Sequence, residues 1–284
     1  MKRKIFNLLC SILIIALLIG SFSPSAEAKE LPVQLPIIMY HQINNAPRTC
    51  NEFTVSDEMF ENDIKYLSEN GYTSITTKEL LAYCKGDTVL PEKPILITID
   101  DGYESFVKYA KPVLERYGMN VVLSIVGSYT DKYTEIKEHC FSYSYFSWKT
   151  LSELQQSPAI EFAVHSYDMH KLKDRRGCRI KPGESYEDYN KALNDDLEKV
   201  EDRFQEYLKI KPYVFAYPYG LVCKEAKEIL EQRGYQILFT CEEGVNELTG
   251  DKEELLKLKR FNRSGNLSQK RFFAKIENNN YCTD

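Results

Sequence analysis

Two aspartates stand side by side at Asp100 and Asp101, after the apolar run Ile95–Ile99 and before Gly102. Neighbours in a regular strand point to opposite faces, so both carboxylates reach one place only where the strand ends and turns, which Gly102 permits. Two anions this close repel, and a divalent cation relieves the repulsion. For the tripeptide alone, a solvated Asp-Asp-Gly turn is the competing reading. Farther on, "HSYDMH" places His165 and His170 five residues apart, about 140° around a helix, so one helical face cannot present both. If His165 ends a strand and the chain curls through Ser166–Met169, the two imidazoles converge. The chain has only four histidines, and two of them lie here. An Asp-His-His set leaves positions open on a zinc-like ion, the catalytic rather than the structural arrangement.

The elements that must position these groups alternate as βα units do. Strands are expected at 35–41, 94–100, 120–127, 160–165, 213–220, 235–240 and 255–262. Between them, Ser56 is a plausible N-cap for a helix carrying Met59, Ile64 and Leu67 and stopped by Gly71. Further helices are expected over 104–118, 148–157, 186–209 and 224–234. This rhythm predicts an α/β fold, a distorted (β/α) barrel of about seven strands in a single domain. Chemistry in such folds sits on loops leaving the carboxyl ends of strands. His41, the Asp100–Asp101 pair, His165 and the Pro218-Tyr219 turn all fall there.

The first residues stand apart from this pattern. Lys2, Arg3 and Lys4 precede an apolar run from Ile5 to Ile19, and Ala26-Glu27-Ala28 offers a small-residue cleavage site. That is the layout of a secretory signal peptide over residues 1–28, leaving 29–284 as the catalytic domain; an uncleaved anchor is the rival, though the run is short for a span. The expected location is extracellular or at the cell wall, without stable membrane insertion after cleavage. Formal charge is −5 for the whole chain, and loss of the leader makes it two units more negative. With no cationic block, nucleic acid is excluded as an expected partner. Seven cysteines follow residue 28. Export permits disulfides, the odd number leaves at least one thiol unpaired within the chain, and no close CxxC or CxxH pair suggests structural zinc.

"TIDDG" (Thr98–Gly102), "HSYDMH" (His165–His170) and "YPYG" (Tyr217–Gly220), in that order, resemble the motifs of polysaccharide deacetylases, carbohydrate esterase family 4. The likeness runs over about Leu35–Phe273, and "IMYHQI" and "LSENGYTSITTKELL" resemble the branch of exported poly-N-acetylglucosamine deacetylases. The resemblance implies one divalent ion, zinc first and cobalt, nickel or iron as alternatives, held by Asp101, His165 and His170. It makes Asp100 the general base. The backbone N–H of Tyr219 becomes a donor to the oxyanion, and Tyr217 and Pro218 become substrate-binding residues. The implied reaction removes N-acetyl groups from N-acetylglucosamine residues of a surface or extracellular polysaccharide, so the partner is an acetylated glycan.

This chain also departs from the family pattern. No histidine follows His170, and the permuted branch gives the general-acid role to the histidine of Tyr40-His41. The arginine usual before Pro-Tyr is replaced by Ala216, so the residue that orients Asp100 is left open; Arg260, in "RFNR", is a candidate for the rim. The histidine spacing is His-x4-His rather than His-x3-His. Alternative functions are O-deacetylation of xylan or wall glycan and a catalytically dead glycan-binding protein. His139 reads as surface, Trp148 as a helix staple or a sugar-stacking wall, and the charge run Glu184–Glu206 as a solvated helix face.

Overall fold

The computed structural model describes residues 31–136 and 139–279. The expected signal peptide and Cys282 lie outside them. Seven parallel strands form the central sheet. In chain order they are β1 (Ile37–Tyr40), β2 (Pro94–Ile99), β3 (Val121–Ile125), β4 (Ile160–Val164), β5 (Val214–Ala216), β6 (Ile237–Phe239) and β7 (Phe261–Asn262). Their order in space is β6-β5-β4-β3-β2-β1-β7, and the short strand Thr73–Ser74 also pairs with the start of β2. The outermost strands approach each other: Thr240 N donates to Leu258 O and Leu258 N to Leu238 O, both at 2.9 Å, just before β7 begins. The sheet thereby curls into the distorted barrel that the alternating pattern predicts.

A parallel sheet covered on both faces needs strands that are apolar throughout, and β2 is buried at all six positions. Alternate residues go to the two faces. Ile38, Tyr40, Ile97, Ile99, Leu123 and Phe215 pack with Phe60, Ile64 and Leu67 of the surrounding helices. Ile37, Leu96, Val122, Ala163, Val214 and Ala216 pack on the other face with Leu248, Leu255 and Leu258.

The helices begin and end where local chemistry directs. Ser56 Oγ accepts from Met59 N at 3.1 Å and starts the helix Asp57–Glu69. The helix expected over 104–118 is instead two, Ser105–Tyr109 and Lys111–Tyr117. Pro112 has no N–H for the carbonyl four residues back and its ring crowds that carbonyl, which breaks the ladder. The strand expected over 255–262 is likewise shortened to β7. Asp251 Oδ1 accepts from Glu253 N at 3.0 Å and nucleates a 3-10 turn over Lys252–Lys257. The long helix runs Tyr186–Arg203 and closes in a π-turn, Phe204–Leu208.

Candidate active site

At the end of β2 the chain turns sharply: Asp101 and Gly102 have φ of +71° and +80°. This sends the two carboxylates to different partners in one cleft. Asp100 is buried and meets Arg260, whose Nη1 and Nη2 donate to Oδ1 and Oδ2 at 2.9 and 2.8 Å. Arg260 is fully buried too; its Nε donates to Thr240 O at 2.8 Å and its Nη1 to Thr98 Oγ1 at 3.1 Å. Burial alone would raise the Asp100 pKa, but the guanidinium, aided by His165, more than offsets it and holds the carboxyl well below the usual carboxylate range. The orienting arginine therefore comes from the segment entering β7, not from position 216, where Ala216 stands.

Asp101 turns to the histidines. Its Oδ1 lies 3.6 Å from His165 Nε2 and 3.3 Å from His170 Nε2, and has no hydrogen-bond partner although it is buried. One ligand atom from each of the three residues falls within 4.8 Å of the others. A tetrahedral zinc ion with bonds near 2.0–2.1 Å separates its ligands by about 3.3 Å, so the spacing fits such an ion. The electrostatics fit as well. Burial, with the Asp100 charge adding to it and His41 opposing, pushes Asp101 up to about 6, as expected for a carboxylate without its counter-charge. Burial lowers His165 to about 3 and lowers His170 too, which keeps both imidazoles neutral. His165 Nδ1 is 2.7 Å from Ala216 O, a contact that leaves Nε2 as the free lone pair.

The loop joining the histidines is held from below. Asp196, in the long helix, accepts from Tyr167 N at 2.7 Å and Asp168 N at 2.8 Å. The charge run is thus mainly a solvated face, although Glu184 and Glu201 are half-buried in ion pairs with Arg175 and Arg233; Asp196 is buried, and its departure has a signal. Asp196 falls in register with the buried Tyr189, Leu193 and Val200 on the helix's apolar stripe. Asp196→Ala would strand two backbone donors. We expect a stability loss of about 2–3 kcal/mol and, from the loosened loop, at least about tenfold weaker zinc binding. Urea unfolding and zinc titration check both.

His41 and Tyr219 line the same cleft, of about 770 Å³, with Asp100, Asp101, His165 and His170. His41 packs edge-on against Phe53, with ring centroids 5.0 Å apart. Its Nδ1 is buried without a hydrogen-bond partner. Tyr219 has φ +59° and lays its ring 4.6 Å from that of His170. The turn needs Gly220, because a Cβ there would come within 2.6 Å of Cys241 N. Tyr103, Phe53 and Arg176 also line the cleft; as single aromatics or cations they carried no signal in the sequence.

Two expectations are corrected. Tyr217 is fully buried among the helices beside Phe215, 5.3 Å between ring centroids, and Pro218 is buried; neither lines the cleft. Strand alternation puts Tyr217 on the same face as Phe215. Trp148 does open its helix, but it is buried against Phe204 and Tyr207 with Nε1 donating to Asp131 at 2.7 Å, so it is no sugar-stacking wall. His139, read as surface, is partly exposed and pairs with Glu104 at 2.8 Å. Among the described residues Cys50, Cys84, Cys178, Cys223 and Cys241 are free thiols, and no helix is long and apolar enough to cross a membrane.

The model of the family described as polysaccharide deacetylase matches residues 87–238. The poly-beta-1,6-N-acetyl-D-glucosamine N-deacetylase of Escherichia coli O157:H7 is 25% identical over 251 residues, 79% of this chain. The chain spans only 37% of that relative's length. IcaB from Ammonifex degensii superposes with a TM-score of 0.67 at 25% identity, covering 81% of this chain and 91% of that one. A de-N-acetylase from Aggregatibacter actinomycetemcomitans gives a TM-score of 0.72 at 21% identity, covering 86% and 99%, which supports the fold.

Proposed function

Given that the chain belongs to the polysaccharide deacetylase family, we propose that it is an exported, metal-dependent hydrolase. Its substrate would be the acetamide of N-acetylglucosamine residues in a poly-β-1,6-linked extracellular glycan. The observation that carries this reading is the convergence of Asp101, His165 and His170 beside the buried Asp100–Arg260 pair. The leader pattern of residues 1–28 and the names of the relatives support the location and the glycan.

A divalent ion held by Asp101, His165 and His170, zinc first by its nitrogen and oxygen donor set, would supply Lewis acidity to the carbonyl and to water. The chain's own residues do the rest. Asp100, kept ionised by Arg260, is the carboxylate that accepts the proton of the attacking water. Tyr219 presents its backbone N–H to the oxyanion from a turn fixed by Pro218 and Gly220. His41 delivers a proton to the departing amine, because an amide anion is too poor a leaving group to depart unprotonated. Water and acetamide become acetate and the glucosamine amine. One ground for an inactive glycan-binding protein, the lack of an arginine for Asp100, is removed by Arg260.

Acetate release from β-1,6-linked N-acetylglucosamine oligomers tests the reading, with zinc-loaded protein expected to turn over and chelated protein not. No release by the loaded protein would overturn it. The acid role has its own check. His41→Ala should slow the amide reaction about 100-fold and hydrolysis of an aryl acetate, whose leaving group needs no proton, far less. Equal losses on both would remove His41 from that role.

A further inference from the structure

The loop between β4 and the long helix is fastened to the Pro218–Gly220 turn by contacts that hydrolysis does not require. The Arg176 guanidinium lies 5.9 Å from the centre of the Tyr219 ring. Gly177, at φ +63°, approaches so closely that a Cβ there would come within 2.8 Å of Pro218 O. Arg179 Nε donates to Val222 O at 3.3 Å. In this seam sit two cysteines, the buried Cys178 and the half-buried Cys223, which directly precedes the helix Lys224–Arg233. Cys223 Sγ is 3.9 Å from Cys178 O and 3.4 Å from Tyr189 Oη. Tyr189 Oη in turn donates to Cys178 O at 2.7 Å. The two cysteines, 45 residues apart, thus share one small polar knot.

We propose that Cys178 and Cys223 form a disulfide, made by exchange with an external low-molecular-weight disulfide, that locks this loop onto the turn carrying Tyr219. Cys223 is the reachable thiol. Its thiolate attacks one sulfur of the external disulfide, forming a mixed disulfide and releasing one thiolate. Cys178, once deprotonated, attacks Cys223 Sγ, closes the bond and expels the second. The two cysteines lose two electrons, the external disulfide gains them, and the protons end on the two released thiols. Burial pushes the Cys178 thiol well up, which makes closure the slower step. The locked loop carries Arg176 and Gly177, so the bond fixes one wall of the cleft without adding a group to the chemistry.

The test uses the full-length protein with oxidised glutathione as the probe, followed by alkylation, proteolysis and mass mapping. The expected result is a single peptide pair joining Cys178 to Cys223, reversed by dithiothreitol. A 45-residue loop closed by the bond should raise Tm by on the order of 10 °C. Cys223→Ser should lose both the linked peptide and the Tm increment while matching the Tm of reduced wild type. The mapping on wild type needs no variant to fold. Recovery of both residues separately alkylated, arrest at glutathione-capped Cys223, or linkage without a Tm change would each overturn the proposal.

Discussion

Asp100→Asn is expected to lower kcat/KM for acetate release about 1,000-fold and to destabilise the protein by about 3–5 kcal/mol. Adding Arg260→Met should restore most of the stability and none of the activity. The logic lies in the pair's burial: Asp100 and Arg260 are 1% and 0% exposed and bonded through both guanidinium nitrogens. Removing one charge leaves the other uncompensated in a low dielectric, whereas removing both leaves an amide beside an apolar side chain. Activity follows a different rule, because only the carboxylate can take the proton. Because Arg260 holds the folded Asp100 below its unfolded value of about 3.9, the pair's contribution is complete above that pH and is lost as pH falls through the folded pKa. Urea unfolding and an acetate assay on wild type and the two variants separate the effects. If Asp100→Asn kept activity within tenfold of wild type, the base would lie elsewhere.

What the sequence revealed of this site depended on how local the information was. Strand ends can be read from apolar runs, and in a parallel barrel those ends share one rim, so Asp100, Asp101, His41, His165, His170 and Tyr219 could be brought to one cleft before any coordinates. Arg260 could be placed near the rim but not joined to Asp100, because the bond spans 160 residues and no local period encodes it. Asp196 was legible in principle, since it breaks an apolar stripe, yet a dense charge run around it hid the register. Tyr217 shows the opposite failure. The alternation Phe215-Ala216-Tyr217 places it among the helices, whereas the motif resemblance points it to the substrate. The helix broken at Pro112 and the 3-10 turn begun by Asp251 are the same kind of miss, single residues overruling a longer apolar pattern.

Asp101→Asn should change the sign of its effect on stability with the cation. In excess chelator the variant is expected to melt above wild type; in excess zinc it should melt below. Without an ion, Asp101 is a buried carboxyl whose Oδ1 has no partner and whose pKa is driven up to about 6, so its charge opposes folding near neutral pH and a neutral amide relieves it. With an ion, the same charge becomes a ligand. Wild type then gains the linkage free energy of binding, about 4 kcal/mol at a thousandfold excess over Kd, on the order of 10 °C for a chain of this size. The variant forfeits most of that gain. His165→Ala separates ligand loss from charge relief: it removes a donor but no negative charge, so it should lose the zinc-dependent gain without any advantage in chelator. Thermal melts of the three proteins under both conditions, with metal analysis of the zinc-loaded samples, check the crossing. Parallel curves would mean that the aspartate and the two imidazoles hold no ion, and the hydrolytic reading would lose its electrophile. A crossing would identify Asp101 as a residue kept at a cost to the empty fold for what it binds, the trade expected of a functional site.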